Sequence, residues 1–134
     1  MFDVLDMGAS GLLAQRTRLD TIAANIANAN TTHDASGKVN PYRRRFAVFA
    51  AGRPDKPGSP GVRVSDVRTD LSPLPKRFEP GHPDADAQGY VSYPNVDLSI
   101  EYVNALEASR AYEANVSMME VSKSMINASL RLIA

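Results

Sequence analysis

The chain has no cysteine, no excess of either charge and no long apolar run. Its 134 residues hold zero Cys, which excludes disulfides, thiolate zinc sites and Cys nucleophiles but says little about compartment. Fifteen Lys and Arg balance fifteen Asp and Glu, so there is no net field to attract nucleic acid or anionic lipid. We therefore expect no nucleic-acid partner. Recognition should depend on shape instead.

Membrane and targeting signals are also missing from the sequence. The longest uninterrupted apolar run, residues 46–51, is far too short to span a bilayer. Asp3 and Asp6 lie where a secretory signal peptide needs positive charge. We expect no direct membrane insertion and no cleaved signal peptide, so a protein of this kind working outside the cytoplasm leaves by another route.

Signals for catalysis are absent as well. The sequence has no Gly-rich phosphate loop and no Gly-x-Ser-x-Gly nucleophile elbow, and its carboxylates are scattered. His33 and His82 stand in polar loops without metal-ligand spacing. The chain is predicted to be no enzyme and to need no metal, no cofactor and no small-molecule substrate.

The C-terminal segment carries two apolar stripes on one long helix, which Asn95 or Asp97 is placed to cap. The first stripe follows a heptad and is predicted to pack against another helix of the same chain: Ala111, Ala114, Met118, Val121, Met125, Ala128 and Leu132. The second stripe is centred about 150° away and is predicted to contact neighbouring molecules: Tyr112, Val116, Met119, Ile126, Leu130 and Ile133.

The N-terminal segment predicts a second helix, from about Asp3 to Ala29. Its side of the intramolecular seam repeats at intervals of seven, with one further position: Leu5, Leu12, Leu19, Ile22 and Ile26. Helices at both ends predict a mainly α fold with an antiparallel helix pair of coiled-coil type. Residues 1–32 and 95–134 are assigned to this helical unit, in which the longer C-terminal helix overhangs its partner.

The middle, residues 33–94, predicts a small, loop-rich, antiparallel β unit. Tyr42, Arg44, Phe46 and Val48 share one side of a predicted strand, and Val62 and Val64 alternate in the same way. Seven of the nine prolines fall between Pro54 and Pro83, which limits the strands to short ones. The basic run 43–45 is expected to be a solvated edge or a salt bridge to another subunit.

Two apolar faces on one helix are more than a chain of this size covers, which favours assembly. Asn115, Ser122 and Ser129 recur at intervals of seven beside the second stripe, and we expect them to hydrogen-bond across an interface and set its register. Asn25 and Asn28 are added to the predicted intersubunit set. A helical adaptor that saturates with one partner through its spare apolar face is the alternative function, and membrane association is a third class.

Both ends of the chain carry recognisable signatures. Residues 109–116, SRAYEANV, with Lys123-Ser124-Met125 after them, and residues 22–31, IAANIANANT, resemble the C-terminal and N-terminal signatures of bacterial flagellar axial proteins of the rod and hook class. Residues 79–83, 86–91 and 94–97 resemble one member in particular. The chain is thus similar to a rod subunit over nearly its whole length.

The resemblance implies a structural subunit of the proximal rod, in the basal body of the bacterial flagellum. Such subunits assemble helically through their terminal helices into the periplasmic drive shaft, which transmits motor torque and encloses the export channel. The implied partners are other copies of the chain, proximal and distal rod subunits, the rod-ring junction protein and the MS-ring protein. The flagellar type III export apparatus, which needs no cleaved signal, is the implied route outward.

Overall fold

The structure, a computed structural model, describes residues 2–53, 55–56 and 58–134. Two helices at the ends of the chain enclose four short strands, which confirms the predicted fold class. The elements in chain order are α1 (Phe2–Ala27), β1 (Arg45–Ala51), β2 (Val62–Thr69), β3 (Lys76–Phe78), β4 (Tyr90–Ser92) and α2 (Leu98–Ile133).

The two helices run antiparallel and approach each other closely. Gly8 of α1 lies against Met119 of α2, and a Cβ atom at Gly8 would be only 2.5 Å from Met119 Cγ. Near the opposite end of α1, Asn25 Nδ2 donates to Glu101 Oε2 at 3.1 Å. Small residues on α1 thus permit backbone distances that larger side chains would prevent.

The helices differ in length, so α2 extends beyond the start of α1. At 1.5 Å per residue, α1 is about 39 Å and α2 about 54 Å long. Because Gly8 faces Met119, the start of α1 lies opposite residues near 125, and the last turns of α2 project past it, as expected. Within the described ranges, neither helix combines the length and apolarity that crossing a membrane requires.

Asp97 caps α2, one of the two residues predicted for that role. Its Oδ1 accepts from the backbone N–H groups of Ser99 at 2.9 Å and Ile100 at 3.3 Å, which satisfies donors that the first turn leaves free. Asn95 acts elsewhere: its Oδ1 accepts from Arg44 N at 2.8 Å. Asn95 therefore ties the start of α2 to the chain entering β1.

The first hairpin, β1 with β2, is antiparallel, as predicted, with an irregularity between Val48 and Phe49. It packs against α1, where Ser10 Oγ accepts from Val62 N at 3.1 Å. A Cβ at Gly61, whose φ is +115°, would lie 2.8 Å from that hydroxyl. Glycine at this position therefore lets the strand approach the helix.

A second hairpin, β3 with β4, was not predicted from the sequence. Each strand has three residues, and the rings of Phe78 and Tyr90 meet edge to face with centroids 5.3 Å apart. Tyr93 donates its hydroxyl to Glu79 Oε2 at 2.9 Å. These contacts hold the hairpin next to the segment that leads into α2.

The buried apolar core of the described residues is small. It consists of Ala14, Ile22, Val91 and Ala108. Most large apolar side chains therefore keep part of their surface in water in the isolated chain.

Candidate assembly surface

A buried amide joins α1 to the first hairpin. Asn25 is fully buried, and its Nδ2 donates to Arg45 O at 2.7 Å and Glu101 Oε2 at 3.1 Å. Its Oδ1 accepts from Arg45 N at 2.9 Å and from the Tyr42 hydroxyl at 3.0 Å. The prediction that Asn25 faces a neighbouring subunit is wrong, because all of its hydrogen-bonding capacity is used inside the chain.

The carboxylate of Glu101 completes this cluster from α2. Glu101 is also fully buried, and its Oε1 accepts from Arg44 Nε. A buried charge is tolerated only when it is paired and hydrogen-bonded, and Asn25 and Arg44 supply those partners. Burial also raises the pKa of the Tyr42 phenol, which borders the cluster. The cluster of Asn25, Glu101, Arg44, Arg45 and Tyr42 is called the polar junction below.

The arginines of the basic run 43–45 therefore stabilise the fold within one chain. Arg44 pairs with Glu101, and its Nη1 is 3.8 Å from Asp70 Oδ2. Arg43 donates from Nη1 to Ser72 O at 3.0 Å. The expected solvated edge or intersubunit salt bridge is thus wrong for Arg44, whose partners lie far away in sequence.

The face of α2 that packs on α1 is the one assigned to neighbours from the sequence. Met119 contacts Gly8, and Asn115 contacts Gly11. Val4 of α1 borders a groove that is also lined by α2 residues Ser122, Met125, Ile126 and Ser129. The half-buried positions on this face of α2 are Tyr112, Asn115, Val116, Met119, Ser122, Ile126 and Ser129.

The first stripe, predicted as the intramolecular seam of α2, lies mostly outside. Val121 is 59% exposed and Leu132 is 89% exposed. Met118 and Met125 are exposed as well, as are Ala114 and Ala128, whereas Ala111 is half-buried. This seam prediction is wrong because Gly8 and Gly11 leave room on α1 for Met119 and Asn115, which turns the other face of α2 toward α1 and leaves the first stripe outside.

On α1 the predicted seam is only partly enclosed. Ile22 is buried, while Leu5, Leu12, Leu19 and Ile26 are half-buried. The fully enclosed positions of α1 include Gly8, Gly11 and Ala14. The leucine heptad thus flanks the contact between the helices and leaves apolar surface beside it.

Two of the three small polar residues expected to set register, Ser122 and Ser129, donate to the backbone of their own helix. Ser122 Oγ donates to Met118 O at 2.8 Å, and Ser129 Oγ donates to Met125 O at 2.9 Å. Asn28 Nδ2 donates to Ala24 O at 2.9 Å at the end of α1. The two serines therefore make the fourth-residue backbone bond that is common in helices, and their role between subunits stays a prediction.

An apolar strip along the second half of α2 has no partner in the isolated chain. At 100° per residue its members lie on one side of the helix, and all are exposed: Met118, Val121, Met125 and Leu132. We call this strip the outer face of α2. Contiguous apolar surface of this kind is typical of protein interaction sites.

A second polar cluster joins two loops away from the helices. Asp84 Oδ2 accepts from Thr32 Oγ1 at 2.5 Å and lies 2.9 Å from His33 Nδ1. These hydrogen bonds, that of Thr32 first, hold the pKa of Asp84 below its ordinary value. Over the residues that the structure describes, no group of three His, Cys, Asp or Glu side chains is arranged to hold a metal ion.

Family models match both helical ends of the chain. Residues 5–32 match the model described as "Flagella basal body rod protein". Residues 87–132 match the model described as "Flagellar basal body rod FlgEFG protein C-terminal". The matched segments contain most of α1, strand β4 and nearly all of α2.

Curated relatives extend the similarity to almost the full length. The flagellar basal-body rod protein FlgC of Borreliella burgdorferi is 39% identical over 150 residues, covering 99% of this chain and 97% of its own. The FlgC protein of Escherichia coli O157:H7 is 40% identical over 132 residues, with 98% and 97% covered. That of Bacillus subtilis is 36% identical over 145 residues, with the same shares covered.

Proposed function

The chain belongs to the FlgC family of flagellar basal-body rod proteins, and from that premise we propose that it joins neighbouring rod subunits through the outer face of α2. It is a structural rod subunit of the flagellar basal body and assembles with other basal-body proteins. The outer face supplies apolar surface that its own fold leaves uncovered.

The exposure of this face is the observation that carries the proposal. Burying one large apolar side chain contributes about 1.5–3 kcal/mol, whereas association costs roughly 4–15 kcal/mol in lost freedom of motion. One contact over part of the face is therefore weak, and contacts with several neighbours at once are strong.

The proposed architecture is an open helical tube. A contact between two different surfaces that does not close into a ring generates a filament, and the helical unit, 1–32 with 95–134, forms the wall around the export channel. The loop-rich unit, 33–94, faces outward. In this arrangement the proximal rod transmits motor torque, and the contacting partners are other copies of the chain, proximal and distal rod subunits, the rod-ring junction protein and the MS-ring protein.

The interface residues differ in part from those expected from the sequence. In the proposed interface the outer face takes the place of Tyr112, Met119 and Ile126. These three residues pack toward α1 and are less accessible to a neighbouring subunit. Leu130 and Ile133 remain in the set because both are exposed beyond the start of α1. We also propose that the chain passes through the flagellar type III apparatus to the periplasm. Its small buried core suits a chain that is exported unfolded.

The test is complementation of a motile bacterium that lacks its own copy of this subunit. The variant carries Met118→Asp and Val121→Asp, which place two charges on the outer face. We expect normal helicity by circular dichroism, loss of motility and no completed rods in isolated basal bodies. The matched control is Leu71→Asp, an apolar residue 81% exposed in a loop, which should swim normally. Full motility of the double variant would contradict the proposal.

A further inference from the structure

Two exposed methionine side chains lie on the outer face of α2. The chain has five methionines and no cysteine, so thioethers are its only sulfur groups. Met118 is 44% and Met125 is 65% exposed, and because they are seven residues apart, both lie on the same side of the helix. Thioethers that small oxidants can reach are a common target of oxidation to the sulfoxide. The outer face therefore carries the most accessible methionines among the described residues.

The other two methionines in the described ranges, Met7 and Met119, are half-buried. A Cβ atom at Gly8 would lie 2.5 Å from Met119 Cγ and 3.1 Å from its Sδ, so this sulfur packs against the α1 backbone. Met118 Cε lies 3.5 Å from the same Cβ position, and this contact covers part of that side chain. Because the oxidant must reach the sulfur atom, we expect Met125 to react first, Met118 next and Met119 last.

A peroxide supplies the oxygen atom in this reaction. The thioether sulfur donates an electron pair to one oxygen of hydrogen peroxide, and a sulfur–oxygen bond forms. The O–O bond breaks, and the second oxygen takes the proton of the first and leaves as water. The sulfur is oxidised by two electrons and the peroxide is reduced by two. A methionine sulfoxide reductase, supplied with a thiol reductant, restores the thioether.

The added oxygen changes what the outer face can pack against. The sulfoxide replaces a flexible apolar side chain by a polar one, whose oxygen accepts hydrogen bonds. The other members of the outer face, Val121 and Leu132, have aliphatic side chains and donate none. On the isolated chain the new oxygen is hydrated, so the fold is kept. Against an apolar neighbour the oxygen loses its water without gaining a donor, which opposes the contact.

We propose that Met118 and Met125 are oxidation sites, at which a peroxide forms the sulfoxide and thereby blocks incorporation of an unassembled subunit into the rod. The proposal rests on the proposed function and adds to it a chemical control of the same surface. In a completed rod, the neighbours that cover the outer face also shield both sulfur atoms. Rod construction is therefore sensitive to peroxide, whereas rods already built are resistant.

The direct test compares peroxide oxidation of the isolated full chain with that of purified basal bodies. Peptide mass spectrometry follows the gain of one oxygen at each methionine over time. In the isolated chain, Met125 and Met118 should be oxidised before Met119, with helicity unchanged by circular dichroism. In basal bodies, both should react more slowly. Oxidation of Met119 first, or of all three at one rate, would overturn the inference and leave the proposed function standing. Unchanged rates in basal bodies would count against the proposed use of the outer face.

A second measurement follows rod construction in cells that lack methionine sulfoxide reductases. The variant Met118→Leu with Met125→Leu keeps an apolar face of similar volume but forms no sulfoxide. After a pulse of hydrogen peroxide during flagellar growth, the natural chain should lose most newly completed basal bodies and the double variant should keep them. Met7→Leu is the matched control and should behave as the natural chain does. Equal losses in the natural chain and the double variant would refute the inference.

The failure of the inference and that of the proposed function give different results. If the two sulfoxides form but peroxide spares rod construction, oxidation does not control assembly and the inference is wrong while the structural role stands. If instead the outer-face variant Met118→Asp with Val121→Asp builds complete rods, the proposed use of the outer face fails, and the inference fails with it.

Discussion

Asn25 of α1 and Glu101 of α2 are hydrogen-bonded to each other at 3.1 Å, and both side chains are fully buried. Through Arg44 and Arg45, the same two residues hold the start of β1. The helix pair is thus fixed firmly at the end where the β unit leaves it. At the other end, Leu130 and Ile133 in the last turns of α2 have no such constraint within the described chain and are exposed.

Replacing Asn25 should destabilise the fold strongly. Asn25→Ala removes four hydrogen bonds and leaves buried partners unsatisfied, at a cost of about 1–3 kcal/mol for each group that finds no water. We expect a loss of several kcal/mol, read from urea unfolding followed by circular dichroism. Asn28→Ala is the matched control and should cost less than about 1 kcal/mol, because Asn28 bonds only near its own helix end. Equal losses for both variants would contradict the polar junction.

Glu101 should tolerate loss of charge better than loss of its oxygens. Glu101→Gln keeps an acceptor for Asn25 or Arg44, whereas Glu101→Leu leaves both without it, which costs about 3–5 kcal/mol for a broken buried pair. We expect hydrogen exchange in β1 to accelerate more in the Leu variant than in the Gln variant. Unchanged exchange in β1 would show that the polar junction does not hold the hairpin.

Gly8 should accept no larger side chain while Met119 stays opposite. Gly8→Val places a Cβ where Met119 Cγ lies 2.5 Å away, and overpacking of this kind costs about 1–3 kcal/mol. Adding Met119→Ala should restore part of the loss, measured as a coupling energy in a double-mutant cycle. Gly81→Val is the control, because open space surrounds Gly81. Additive effects of the Gly8 and Met119 changes would argue against their contact.

Acid should weaken the joint between Thr32 and Asp84. The pKa of Asp84 in the folded chain lies below its ordinary value of 3.8, chiefly because the Thr32 hydroxyl donates to the carboxylate. A lowered folded pKa gives stability that is present above pH 3.8 and is lost as the pH falls through the folded value. Thr32→Val should therefore reduce the acid-dependent loss of stability between pH 5 and pH 2, while Thr32→Ser keeps it. Identical pH profiles for the three proteins would contradict this assignment.

Local signals in the sequence were sufficient for both helices and for the first hairpin. Asp97 was one of two predicted caps, and the alternation at Val62 and Val64 located β2. The second hairpin escaped because Lys76 and Arg77 dominate a strand of three residues, which leaves no alternating apolar pattern to detect. Whether a segment forms a helix or a strand is largely decided by its own residues. The two helices and the strands of the first hairpin are long enough to show their pattern, whereas β3 is not.

The choice of face on α2 could not be predicted from hydrophobicity alone. The stripe with Met118, Val121 and Met125 is the more regular heptad, yet it is exposed, because Gly8 and Gly11 on α1 make room for Met119 and Asn115 on the other face of α2. The partners of Asn25 lie 20 and 76 residues away in sequence. Such distant pairings depend on the fold as a whole. The residue pattern of one sequence does not reveal them.

The central claim is that neighbouring subunits cover the outer face of α2, and thiol accessibility at Val121 tests it most directly. The chain has no cysteine, so Val121→Cys introduces a single thiol whose labelling rate by a maleimide can be compared between isolated subunit and purified basal bodies. The account predicts rapid labelling in the isolated subunit and strong protection in basal bodies, while Leu71→Cys indicates the rate of an exposed loop position. Equal labelling of Val121→Cys in both states would contradict the claim.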